Sequence, residues 1–186
     1  MLRGSAKPQR GFTLIEMMVV VIIMGVLATL AVYGVRKYVF SSKTTEAIHM
    51  IGSIKSAEES YRAETFRYAG ATSIAAAKYF PNSSGPGRYK TDWNNTGHSD
   101  YPTVWGPLGV VSDSPVIFGY KVAARSGALD PPPTNCTNVS WGSRGTDNTG
   151  PWYIVEAAAD QNGDGKPSCF TSCSLTGEIF SVNDDE

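Results

Sequence analysis

Residues 17–35, MMVVVIIMGVLATLAVYGV, run for nineteen positions without a charge. At 1.5 Å per residue a helix of that length spans about 28 Å, close to the hydrocarbon thickness of a bilayer. Arg3, Lys7 and Arg10 precede the run with no acid among the first eleven residues, and Arg36, Lys37 and Lys43 follow it. The basic leader, assigned to the cytoplasmic side by the positive-inside tendency, places the rest of the chain outside. A cleaved secretory signal is the competing reading. The run is longer than an ordinary signal core, and Thr29-Leu30-Ala31 is only a poor imitation of a small-residue cleavage site.

What lies outside the run is not built for catalysis. The chain has 186 residues, enough for one domain plus an extension, with 41% hydrophobic and 18% charged residues. That balance argues against a disordered chain. Sixteen basic against seventeen acidic side chains give a net charge of −1, so no global basic field recruits nucleic acid and no specific nucleic-acid partner is expected. Two histidines and three cysteines come with no HExxH, GxSxG or Walker A pattern. His49 and His98 have no evident catalytic partners. The expectation is a protein that is not an enzyme.

Glu16 is out of place at the head of the apolar run. A carboxylate in lipid costs on the order of a few kcal/mol unless paired, which marks it as functional. The bland alternative leaves it wet at headgroup level. Arg10-Gly11-Phe12-Thr13-Leu14-Ile15-Glu16, followed by the apolar stretch, resembles the prepilin motif of type IV pilins and pseudopilins. The resemblance covers roughly the first fifty residues. It implies a leader at 1–11, cleavage between Gly11 and Phe12 by a prepilin peptidase, and N-methylation of Phe12. It further implies that Glu16 attracts the amino terminus of a neighbouring subunit. The function implied is that of a major or minor subunit of a type IV pilus-like filament. Its partners would be copies of itself or other pilins and an inner-membrane assembly platform. The precursor would sit in the inner membrane and the filament at the cell surface. The alternative is a pseudopilin of a type II secretion system. Many major pilins carry a proline where this chain has Tyr33, which leaves the principal and minor roles both open.

The layout predicted is α+β: a long helix over 12–65, membrane-spanning over about 12–35, packed on a small antiparallel sheet in a head at 66–186. Ala47, Ile51, Ile54 and Tyr61, widened by Ile48 and Ala57, recur at helical spacing. Lys43, Glu46, Lys55, Glu59 and Arg62 are assigned to the opposite face. Residues 66–115 read as loop, with a short helix at 73–80 and with Trp93, Tyr101 and Trp105 either exposed or pinning the loop to the core. Strands are expected near 116–124, 152–158 and 177–182.

Three cysteines in an exported head leave one over after a single disulfide. As in the resembling family, a bridge from Cys136 to Cys169 or to Cys173 would close the carboxyl-terminal region. A local Cys169–Cys173 bridge and zinc bound by three cysteines are the weaker alternatives. Asp160, Asn162 and Asp164, with Gly165 next, match the opening of a calcium loop, and Lys166 would add a backbone carbonyl. The twelfth position is Thr171 rather than glutamate, so a full EF-hand is excluded. Glu178 or a residue of 183–186 would have to complete the shell. The competing reading is a polar turn, since Asn-Gly and Asp-Gly form turns without an ion. Four N-x-S/T sequons begin at Asn82, Asn94, Asn135 and Asn138, in keeping with exposed loops.

Overall fold

The computed structural model describes residues 11–131, 133, 136, 139 and 150–184. The expected leader, apart from Gly11, and the sequons at Asn135 and Asn138 therefore lie outside the described residues. A long helix, α1, runs Leu14–Thr65 over 52 residues, and a short helical stretch, Tyr101–Trp105 continued by Gly106–Leu108, lies within the segment expected as loop. The chain divides into two compact units, Met1–Tyr38 and Val39–Glu186.

In the first unit every described side chain is exposed. Val19 to Ile23 are β-branched and poor helix formers in water. Where water is absent a helix satisfies its own backbone, and propensity matters little. By length and composition α1 holds a segment apolar enough to cross a membrane, and none of that segment is buried within the protein.

The second unit is an α+β head. Ala47, Met50, Ile51, Ile54 and Glu58 of α1 are buried, spaced three, one, three and four apart along a single face. Met50 and Glu58 belong to this face in place of Ile48, which is 46% exposed. Two of the charges assigned to the far face turn inward instead. Glu46 Oε1 accepts the backbone N–H groups of Ile117 at 2.8 Å and Phe118 at 3.3 Å. Lys55 Nζ donates to Ser172 Oγ at 2.9 Å and to the Thr176 carbonyl at 3.0 Å. Phe66 ends α1 in the left-handed region, φ 59°.

The sheet has four antiparallel strands in chain order: β1 Gly119–Ser126, β2 Pro151–Ala159, β3 Ser168–Cys173 and β4 Phe180–Val182. Three strands were expected, and β3 was missed. Ser-Cys-Phe-Thr-Ser-Cys has little strand character on its own. It is held between β2 and β4, and its hydroxyls find acceptors: Thr171 on the Val155 carbonyl and Ser172 on that of Glu178. Residues 116–118 precede β1 rather than opening it, and Val116 pairs with Thr91 in an isolated bridge.

β2 is buried almost throughout because both faces are covered. Tyr153, Val155, Ala157 and Ala159 join the α1 side of the core. Trp152 and Ile154 face Ile74, Ala123 and Cys173 on the other side. The segment after α1 crosses β1 so closely that a Cβ on Gly70 would meet the Ala124 amide nitrogen at 2.5 Å. Ala71 and Phe80 then bridge to β1 at Ala123 and Tyr120. The helix expected at 73–80 is instead a turn closed by Ser73, whose carbonyl accepts from Ala76 and Ala77. Trp93 and Trp105 are buried, and their rings pack on Phe80 at centroid distances of 5.0 and 4.7 Å. Trp93 Nε1 donates to the Val110 carbonyl at 2.8 Å. These aromatics pin the loop.

Cys136 is bonded to Cys169. The local Cys169–Cys173 bridge is excluded by β3 itself: four steps along an extended strand separate the two residues by about 13 Å. Zinc held by three thiolates is excluded because the disulfide consumes two of them. Cys173 is buried beside Trp152 and Ile154.

Candidate assembly site

Thr13 precedes the first residue of α1, and Glu16 stands three positions later in the first turn. Glu16 Oε2 accepts from the Thr13 amide at 2.7 Å and from the Thr13 hydroxyl at 2.7 Å. The Glu16 amide donates back to Thr13 Oγ1 at 3.3 Å. This reciprocal pair is a capping box, and it satisfies two of the amides that a helix start leaves orphaned. The Thr-Leu-Ile-Glu spacing dictates it, because positions N-cap and N3 face each other across the turn. A carboxylate there also complements the positive end of the helix dipole. The box fixes the carboxylate at the helix mouth, with Phe12 84% exposed next to it. An anion displayed in this way can take a cation from another chain.

Asp160, Asn162 and Asp164 are brought together in the turn between β2 and β3. Asp160 accepts from the amides of Gly163 at 2.7 Å and Gly165 at 3.1 Å. Asn162 Oδ1 accepts from Asp164 N–H, and Asp164 Oδ1 from Lys166 N–H, both at 2.8 Å. The turn is complete on these bonds. Among the described residues no three His, Cys, Asp or Glu side chains are grouped to hold a metal ion. Calcium here would therefore depend on Asn162 and backbone carbonyls besides the two aspartates. The Arg88 guanidinium already lies against Gly163.

Two buried carboxylates escaped the sequence reading. Glu156 accepts the Tyr79 hydroxyl at 2.7 Å and lies 4.0 Å from Lys121 Nζ. Glu58 accepts the Ala69 amide at 3.0 Å, and burial pushes its pKa up to about 8. Each carried a signal. Glu58 follows Ile54 by four and Ile51 by seven, on the apolar stripe, and Glu156 is the lone acid in a nine-residue apolar strand.

An exposed apolar helix opening on a capped carboxylate, joined in one chain to a disulfide-closed α+β head, defines a class of anchored, assembling subunits. Residues 6–32 match the model of the prokaryotic N-terminal methylation motif. A fimbrial protein of Pseudomonas aeruginosa is 43% identical over 54 residues, 29% of this chain and 35% of that protein. The type IV major pilin protein PilA of Myxococcus xanthus is 32% identical over 146 residues, 75% of this chain and 63% of its own length. A type II secretion system core protein G of Pectobacterium carotovorum is 42% identical over 64 residues, 34% of this chain and 41% of that protein. The chain thus spans about a third of the length of the fimbrial relative. No solved structure matches. The motif and these relatives support the type IV pilin family for this chain.

Proposed function

We propose that the protein is a structural subunit of an extracellular type IV pilus-like filament. It is made as a membrane-anchored precursor, cut after Gly11 by a prepilin peptidase, methylated on Phe12 and passed to an inner-membrane assembly platform. The observation that carries this reading is the Thr13–Glu16 box at the start of a helix whose apolar first part, through residue 38, is exposed throughout. Cleavage would free an ammonium on Phe12. In the filament, that of one subunit pairs with Glu16 of the next, while the apolar faces around residues 17–35 cover one another. The attraction is strong because the surroundings exclude water. Work is done by assembly rather than turnover. The likeness to core protein G of a type II secretion system supports the second reading, a pseudopilin. Mass spectrometry of the mature amino terminus tests the processing common to both: a methylated Phe12 is expected, and a chain still beginning at Met1 in assembled material overturns it.

A further inference from the structure

We infer that Glu58 is a proton-operated latch, whose neutral acid keeps the carboxyl-terminal end of α1 fastened to residues 68–71 and whose anion releases them. Glu58 is fully buried. Its Oε2 accepts the Ala69 amide at 3.0 Å, and among the described residues its Oε1 has no hydrogen-bond partner. The fastened segment matters to the fold, because Ala69 lies just before the close crossing at Gly70 and the bridge at Ala71.

The nearby cations are committed elsewhere. Lys55 is held by Ser172 and the Thr176 carbonyl. Arg62 Nη1 donates to the Tyr68 hydroxyl at 2.7 Å, and that hydroxyl donates to Glu59 Oε1 at 3.0 Å. Among the described residues the ion pairs Lys121–Glu156 and Arg125–Asp130 do not involve Glu58. Among the described residues the remaining titratable groups nearby offer no countercharge. Glu59 on α1 repels an anion at Glu58, and burial raises the pKa of Tyr68 and of Tyr153 on β2, keeping both neutral. Cys173 on β3 lies near Lys55 and Tyr153. The Ala69 amide favours the anion, but burial outweighs that single bond, so the anion costs more here than the neutral acid.

The sign follows from the direction of the shift. Glu58 is raised from 4.5 to about 8 in the fold. The stability contributed by its neutral form is fully present below the ordinary carboxyl value and is lost as pH rises through about 8.

The test is amide hydrogen exchange at Ala69 in the full chain in detergent micelles, from about pH 6 to about pH 10, after correction for intrinsic base catalysis. The wild type should lose protection roughly tenfold per pH unit up to about pH 8 and level off above it, because the opened state gives up its proton at the ordinary carboxyl value, as one-proton linkage requires. Glu58→Gln should hold protection level over the same range. A flat profile in the wild type, or the same loss in Glu58→Gln, overturns the latch. A second readout needs no variant: the side-chain carboxyl carbon of Glu58 should titrate near 8 by NMR. A midpoint in the usual range, about 4.3, overturns the latch as well.

Discussion

Ile22 and Ile51 belong to the same helix, yet the first is 63% exposed and the second fully buried. Hydrophobicity does not separate them, since both are isoleucine. Their neighbours do. Around Ile22 the helix is apolar on every side, so no face is marked for the protein's own core. Around Ile51 the helix buries a single stripe, Ala47, Met50, Ile51, Ile54 and Glu58. Residues 14–38 must be covered from outside, by lipid or by other chains. Residues 39–65 have their cover within the head.

The largest way to break this contrast is at Glu16. Glu16→Ala should lower incorporation into filaments roughly a hundredfold, equivalent to about 3 kcal/mol. Head melting should be unchanged. Normal filament yield from Glu16→Ala and Glu16→Gln alike would remove the carboxylate from assembly. Within the head, replacing both Cys136 and Cys169 by serine should cost about 3–4 kcal/mol in denaturant titration, given a closed loop with sequence separation 33. Ile51→Ala should cost about 3 kcal/mol. Ile48→Ala should cost below about 1 kcal/mol, and Ile22→Ala should leave the head untouched. Equal losses at Ile48 and Ile51 would show that the stripe has been misdrawn. The smallest effect belongs to the turn after β2. Asp160→Ala removes the acceptor for two amides and should cost about 1 kcal/mol, equally in calcium and in chelator. A melting temperature that calcium raises in the wild type alone would make this turn a cation loop.

Legibility in the sequence follows the same contrast. The apolar run and Gly11 to Glu16 could be read because each is a local pattern, and the Thr13–Glu16 box is contained within four residues. β2 could be read because Trp152 to Val155 are strong strand formers. β3 could not: Ser168, Thr171 and Ser172 become strand residues only through the neighbours on either side, and those neighbours are set by the fold. Ile48 misled because one step along a helix turns a side chain by about 100°, enough to leave the stripe. Glu58 was overlooked because a carboxylate is normally assigned to water, although its spacing from Ile51 and Ile54 marked it as inward. For the turn at Asp160, the sequence offered an ion loop and a plain turn with equal economy. The hydrogen bonds to Gly163, Gly165 and Lys166 complete the turn without deciding on an ion.

The two margins of the sheet have a consequence for crowding. Subunits in a filament hold their heads at very high local concentration, where an open strand invites its neighbour to add to it. Here one margin, β1, is already bridged by Ala71 and Phe80. The other, β4, is three residues long and stops at Asn183, which turns the backbone away at φ 54°, with Asp184 accepting the Ser181 hydroxyl just beyond. Neither margin offers a long, flat template. In the proposed filament, polymerisation would thereby be left to the helices, and the heads would crowd together without fusing into a continuous cross-β sheet.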